Sequence, residues 1–229
     1  MPHRIKKMRE AIAARNSAAV ADMQSNNPLL AELESQLRAD ILEMKSMESM
    51  QHRAFAKKYK VPKYWHHVSG IISQNQAIND NITRLMLIWS FDAMLIDQFL
   101  QIAAYMVKFN IPMPEDFNTS LSSFITDSGR VMTAYESNDQ FKAITATQAE
   151  SIHELITSIT EPERQPNDDS YSKFLKELGK KVETLESISA LKRAKEYYEK
   201  ALQLNEKVGV KQDLARVIKK IEELETAPD

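Results

Sequence analysis

From Leu29 onward, apolar residues recur at Leu30, Leu33, Leu37, Ile41, Met44 and Met47. Steps of three and four place them on one narrow stripe of a helix, opposite a strongly charged face. Asn27 is the expected N-cap and Pro28 suits the first turn. The pattern predicts one long seam helix over residues 28–60, ended by Pro62. A seam this narrow meets a single partner helix, in a helical hairpin or between subunits. Leu30, Leu33, Leu37, Ile41 and Met44 are therefore the candidate oligomerisation residues. Ahead of it, residues 3–24 carry Ile5, Met8, Ile12, Val20 and Met23 among many alanines, which reads as a helix with a weak apolar stripe. Residues 1–27 are read as a basic N-terminal helix.

Residues 61–160 read as a compact helical core. The expected helices are 64–77, one beginning near Ile82 after a cap at Asn79 or Asp80, then 95–109, 121–136 and 141–159. Asp92 is expected at a break or cap, and Pro112 and Pro114 end the 95–109 helix, since the residue before each proline is pushed away from helical geometry. Residues 161–169, with Pro162 and Pro166 and no apolar period, read as a linker. A second helical unit, 170–229, follows. In it Ala194, Tyr198 and Ala201 share a face with the spacing of the second helix of a tetratricopeptide hairpin, where small residues allow close approach. The fold class expected is all-α: a helical-bundle core, a long coiled-coil-like helix before it and a tetratricopeptide-like hairpin after it.

Composition sharpens this picture. Four glycines and eight prolines in 229 residues leave few turns, so the elements are long. The absence of cysteine excludes disulfides, thiolate metal sites and a cysteine nucleophile. A net charge of −2 gives no global attraction to nucleic acid or membrane, so any such attraction must be local. The most apolar run, 82–106, is interrupted by Arg84, Asp92 and Asp97, which argues for a buried soluble helix rather than a membrane span. No signal peptide is read at the start, and a cytoplasmic location is expected.

Candidate chemistry is sparse. Asp80, Asp92, Asp97, Glu115 and Asp116 are the carboxylates nearest to a two-metal pattern, but no strand pattern exists to converge them. No Gly-rich phosphate loop is present. His66 and His67 are adjacent, hence about 100° apart on a helix, and lack the His-x3-His spacing of a metal pair. No catalytic residue, metal or cofactor is assigned. Two basic segments remain: Arg4, Lys6, Lys7, Arg9 and Arg15, and then Arg53, Lys57, Lys58, Lys60 and Lys63, interleaved with Phe55, Tyr59, Tyr64 and Trp65. Such residues neutralise phosphates and release counterions. On residue types alone a solvated charged face, with Trp65 in the core, is the simpler account.

The order Pro62, Trp65, Gly70, Met86-Leu87-Ile88-Trp89, Asp92, Ile102-Ala103, Tyr105, Lys108 and Met113-Pro114 resembles the small terminase subunit of peduovirus-type tailed phages. Ala201-Leu202-Gln203-Leu204, Val208-Gly209-Val210-Lys211 and Ile221-Glu222-Glu223-Leu224 resemble the family's C-terminal part. The resemblance implies a phage DNA-packaging protein that binds the packaging site on concatemeric double-stranded viral DNA. It also implies assembly as a homo-oligomeric ring, and recruitment and regulation of the large ATPase-nuclease subunit in the host cytoplasm. With it, the ten basic residues become DNA-binding candidates, the N-terminal five foremost. The family is often labelled an endonuclease subunit, yet no nuclease motif is seen. Relatives are expected to carry a basic C-terminal tail; here the chain ends Glu222-Glu223-Leu224-Glu225-Thr226-Ala227-Pro228-Asp229, so DNA contact by the tail is not expected. The alternatives are a helical-repeat scaffold with no nucleic-acid role, or an intrinsic endonuclease.

Overall fold

In the computed structural model, residues 28–226 are described; the segment Met1–Asn27, with its expected basic helix, lies outside them. The described residues form nine α-helices and no strand, an all-α fold. They divide between Phe117 and Asn118 into two compact units. The first holds α1 (Pro28–Ser46), α2 (Met50–Ser73), α3 (Asn81–Asp92) and α4 (Ile96–Phe109). The second holds α5 (Leu121–Ala134), α6 (Ala146–Thr157), α7 (Asp168–Glu183), α8 (Ile188–Leu204) and α9 (Lys211–Thr226).

The seam helix is broken where its stripe runs on. After Ser46 the chain turns through Met47–Ser49, and Ser49 caps α2 by accepting from the His52 backbone N–H. Arg53 Nε donates to the Met47 carbonyl at 2.7 Å, satisfying a backbone acceptor left open by the turn. The break leaves α1 and α2 as a hairpin. Pro62, expected to end a helix, instead lies inside α2, which runs on to Ser73. It sits on the exposed side of α2. On that side the ring, which has no N–H to donate to the preceding turn, meets solvent rather than a packed neighbour.

The first unit packs around Tyr64, Ile82, Met86, Leu87, Phe99, Ile102 and Met106, all buried. Trp89 meets Tyr64 edge to face at 6.0 Å, and it is Trp89 rather than Trp65 that lies in this core. Asp80 caps α3, accepting from the Thr83 backbone N–H at 2.7 Å. The Tyr105 hydroxyl donates to the Gln76 carbonyl and accepts from the Ile78 N–H, which ties the α2–α3 connection to α4. Asp92 is the last residue of α3, and α4 ends on Asn110 in the left-handed conformation at φ 53.

The second unit depends on two close approaches. A Cβ on Gly129 of α5 would fall 2.7 Å from Ile152 of α6 and 3.2 Å from Phe174 of α7. One on Gly179 of α7 would fall 2.5 Å from the Tyr198 ring of α8. Both sites admit only glycine without a shift of their neighbours. Ala194, Tyr198 and Ala201 are fully buried on one face of α8. Residues 141–145, expected to open the helix 141–159, instead belong to a connection in which Asn138 accepts from the Gln140 and Phe141 N–H groups. α6 begins only at the capping box of Thr145 and Gln148. Residues 161–169, read as a linker, contain a single 3-10 turn, Pro162–Arg164, and the start of α7, and they lie inside the second compact unit.

Candidate functional site

The most concentrated polar chemistry of the first unit sits between α1 and α2. Asp40 of α1 is buried and receives Lys60 Nζ at 2.6 Å, the Tyr64 hydroxyl at 2.8 Å and Lys63 Nζ at 3.8 Å. Lys60 Nζ also reaches Glu43 at 2.7 Å. Burial pushes the Asp40 carboxyl pKa up, but the hydrogen bonds from Lys60 and Tyr64 outweigh it and hold the group below the usual carboxylate range. Lys60 is likewise opposed by burial and raised overall by Asp40 and Glu43. Nearby, Lys57 pairs with Asp92, binding α2 to the end of α3.

This geometry redistributes the second basic segment. Lys60, only 7% exposed, is committed to two carboxylates of α1 and is not available to a phosphate. Lys57 is taken up by Asp92, and Arg53 by the turn before α2. Lys63 remains about half exposed at the edge of the cluster. Lys58 lies half-buried on α2. Sequence spacing could not foresee this, because Asp40 lies 20 residues from Lys60. The five cations of the first segment fall outside the described residues.

The seam residues are also partly spent within the chain. Leu37 and Met44 are buried, whereas Leu30, Leu33 and Ile41 are half-buried. Beside them Leu29 and Leu42 stand exposed on α1. The stripe thus serves first as the inner face of the α1–α2 hairpin.

His67 joins the Asp80 cap, with Nε2 at 3.2 Å from Oδ2 though off the line of a hydrogen bond, while His66 is exposed. Burial alone would raise Asp80; His67 and the Thr83 donors hold it low. Asp80 and Asp92, two of the five carboxylates weighed for a nuclease centre, thus serve as a cap and an ion-pair partner. Among the described residues no group of three or more His, Asp or Glu is placed to hold a metal ion.

In the second unit Glu183, at the end of α7, accepts from Arg216 Nε and Nη2 at 2.9 and 2.8 Å and from Lys220 at 3.3 Å. It also accepts from Tyr198 at 3.2 Å, and so draws α8 and α9 onto α7. The Arg216 hydrogen bonds hold its carboxyl low against burial, with help from Lys220. A second cluster joins Glu150 of α6 to Arg193 at 2.7 Å and to the Tyr197 hydroxyl at 3.1 Å. His153, beside it, contacts the Tyr171 hydroxyl at 3.2 Å; burial lowers the His153 pKa and pushes Tyr171 up to about 12.

Each of these clusters bolts one helix to another. The family model of the phage small terminase subunit matches residues 34–168. The chain belongs to the phage small terminase subunit family. The match runs from within α1 to the first residue of α7, so it takes in the Asp40–Lys60 cluster and the whole first core. No curated protein and no solved structure matches the chain. Membership supports a role in phage DNA packaging, in which small terminase subunits work with viral DNA and the large subunit. No helix among the described residues is long and apolar enough to cross a membrane.

Proposed function

We propose that this small terminase subunit is the DNA-recognising adaptor of the packaging machine. It binds the packaging site on concatemeric DNA, assembles as a ring and delivers the DNA to the large ATPase-nuclease subunit. The family match over residues 34–168 carries this reading. The N-terminal segment, with Arg4, Lys6, Lys7, Arg9 and Arg15, is its principal phosphate contact, and Lys63 is the member of the second segment best exposed to add to it. Ring assembly multiplies a weak contact per subunit into useful avidity. The parts of α1 that the hairpin leaves open, the exposed Leu29 and Leu42 and the half-buried Leu30, Leu33 and Ile41 of the stripe, supply the subunit contact. The α7–α8 hairpin presents a face to the large subunit. Cleavage belongs to that partner.

The test is the salt dependence of binding to a duplex carrying the packaging site. Neutralising Arg4, Lys6, Lys7 and Arg9 together removes up to four phosphate contacts, which lowers the slope of log K against log salt by up to about 3.6. An unchanged slope removes the segment from the DNA interface. Native mass spectrometry of the full chain is expected to show one ring-sized species; a monomer at all concentrations overturns the ring.

A further inference from the structure

The solvent side of α2 carries a ridge of ring-bearing side chains. Phe55, Tyr59, Pro62 and His66 follow one another in steps of four, three and four, which sets them on one face of the helix. Tyr59 is 61% exposed, and Pro62 and His66 are exposed beside it. Phe55, half-buried, meets Tyr59 edge to face at 5.1 Å and braces its ring. At 1.5 Å per residue the ridge runs about 16 Å. The buried residues of α2, among them Lys60, Val61, Tyr64, Val68 and Ile71, lie on the other side.

The charge on this face has one sign. No Asp or Glu occurs between Glu48 and Asp80, so α2 holds cations and no acid, whereas an ordinary solvated helix face mixes both signs. Asp40, Glu43 and Asp92 of the neighbouring helices meet α2 on its packed side, through Lys60 and Lys57. Lys63, one turn beyond Tyr59, touches that set only at its edge, 3.8 Å from Asp40, and its side chain is 51% exposed. Lys58 stands half-buried on the other flank of the ridge. A ligand for such a face needs negative charge and flat rings in alternation. A single strand of nucleic acid supplies both, since each unpaired base offers a π-face and each link a phosphate. A duplex hides its base faces in the stack, and an acidic peptide brings the charge without the repeated rings.

We propose that the outer face of α2 is a stacking platform for single-stranded DNA. An unpaired base lies on the Tyr59 ring, which Phe55 holds in place, and the strand's phosphates run beside Lys63. The ligand is thus an opened strand, distinct from the duplex of the adaptor reading, and the platform does not depend on that reading.

Fluorescence anisotropy of the full chain tests this with a labelled oligothymidine of about a dozen nucleotides and an abasic strand of the same length and backbone charge. The oligothymidine is expected to bind about tenfold more tightly, because only it has bases to stack. Equal affinities overturn the platform. Tyr59→Leu keeps apolar bulk at an exposed position and so spares the fold; it is expected to weaken oligothymidine binding about tenfold, while Tyr59→Phe retains it. Loss in both variants, or in neither, overturns the stacking. Lys63→Gln should lower the slope of log K against log salt by about 0.7, one phosphate contact on a single strand, and an unchanged slope overturns the part given to Lys63. Binding of the packaging-site duplex should be the same in Tyr59→Leu as in the unmodified chain; an equal loss there overturns the assignment to single strands. If the oligothymidine binds and the duplex does not, the adaptor reading fails and the platform stands.

Discussion

At the scale of single residues, Asp40 does the most to set the local structure. A buried ion pair contributes little net stability over an apolar pair, because desolvation cancels most of the attraction, but removing one partner strands the other. Asp40→Ala is expected to cost about 3 kcal/mol, the low end of the range for breaking a buried pair, because Glu43 still holds Lys60. The midpoint of urea unfolding should fall with an unchanged m-value. Asp40→Leu combined with Lys60→Met should be less damaging than Asp40→Ala alone. If the double variant is the worse of the two, the cluster contributes more than register. Asp40 stands three residues after Leu37 and four before Met44, at the edge of the apolar stripe, but what it meets was not legible in the sequence, because its partners lie 20 and 24 residues away.

At the scale of elements, two glycines inside helices have opposite meanings. Gly70 in α2 has open space where a Cβ would be. Gly70→Ala should stabilise the first unit by about 0.5–1 kcal/mol, the helix-propensity difference. Gly179 faces the Tyr198 ring, which is itself fully buried and hydrogen-bonded to Glu183. Gly179→Ala should cost about 1–3 kcal/mol by overpacking. Thermal unfolding of the two variants checks the pair, and two shifts of the same sign would sink the argument. In sequence both glycines were lone residues in helical patterns. The same blindness explains Pro62 and the break at Met47–Ser49. Periodicity sees an apolar stripe and a proline, but not which side of the helix is wet.

For the whole molecule, acid is the revealing condition. Asp40 and Asp80 in the first unit and Glu183 in the second have folded pKa values below their unfolded ones. Their contribution is complete above about pH 5 and is lost as pH falls through the folded values. His153 behaves differently. Its pKa is lowered from 6.5 by burial, so the unfolded chain binds the proton first, and stability begins to fall as pH drops through 6.5. The second unit should therefore weaken earlier on acidification than the first. His153→Leu should abolish that early loss, as read from stability at pH 7 and pH 5. A first unit that softens sooner would contradict the assignment.

Periods of three and four, scarce glycine and well-placed caps determined the all-helical class, a helix opening at Leu121, the end of α4 at Phe109 and a cap at Asn79 or Asp80, because these depend on neighbours within one turn. The structure gives the cap to Asp80 and ends the helix at Ala134, two residues before the expected 136. The ordered residues between Pro62 and Pro114 also carried the terminase resemblance that the family match later supported. Tertiary structure alone decided which lysines face water and which are consumed by carboxylates, that Trp89 rather than Trp65 fills the core, and that Leu37 and Met44 close a hairpin. Those outcomes depend on residues brought together over long stretches of chain, where charge is neutralised and area buried by partners that no local pattern names.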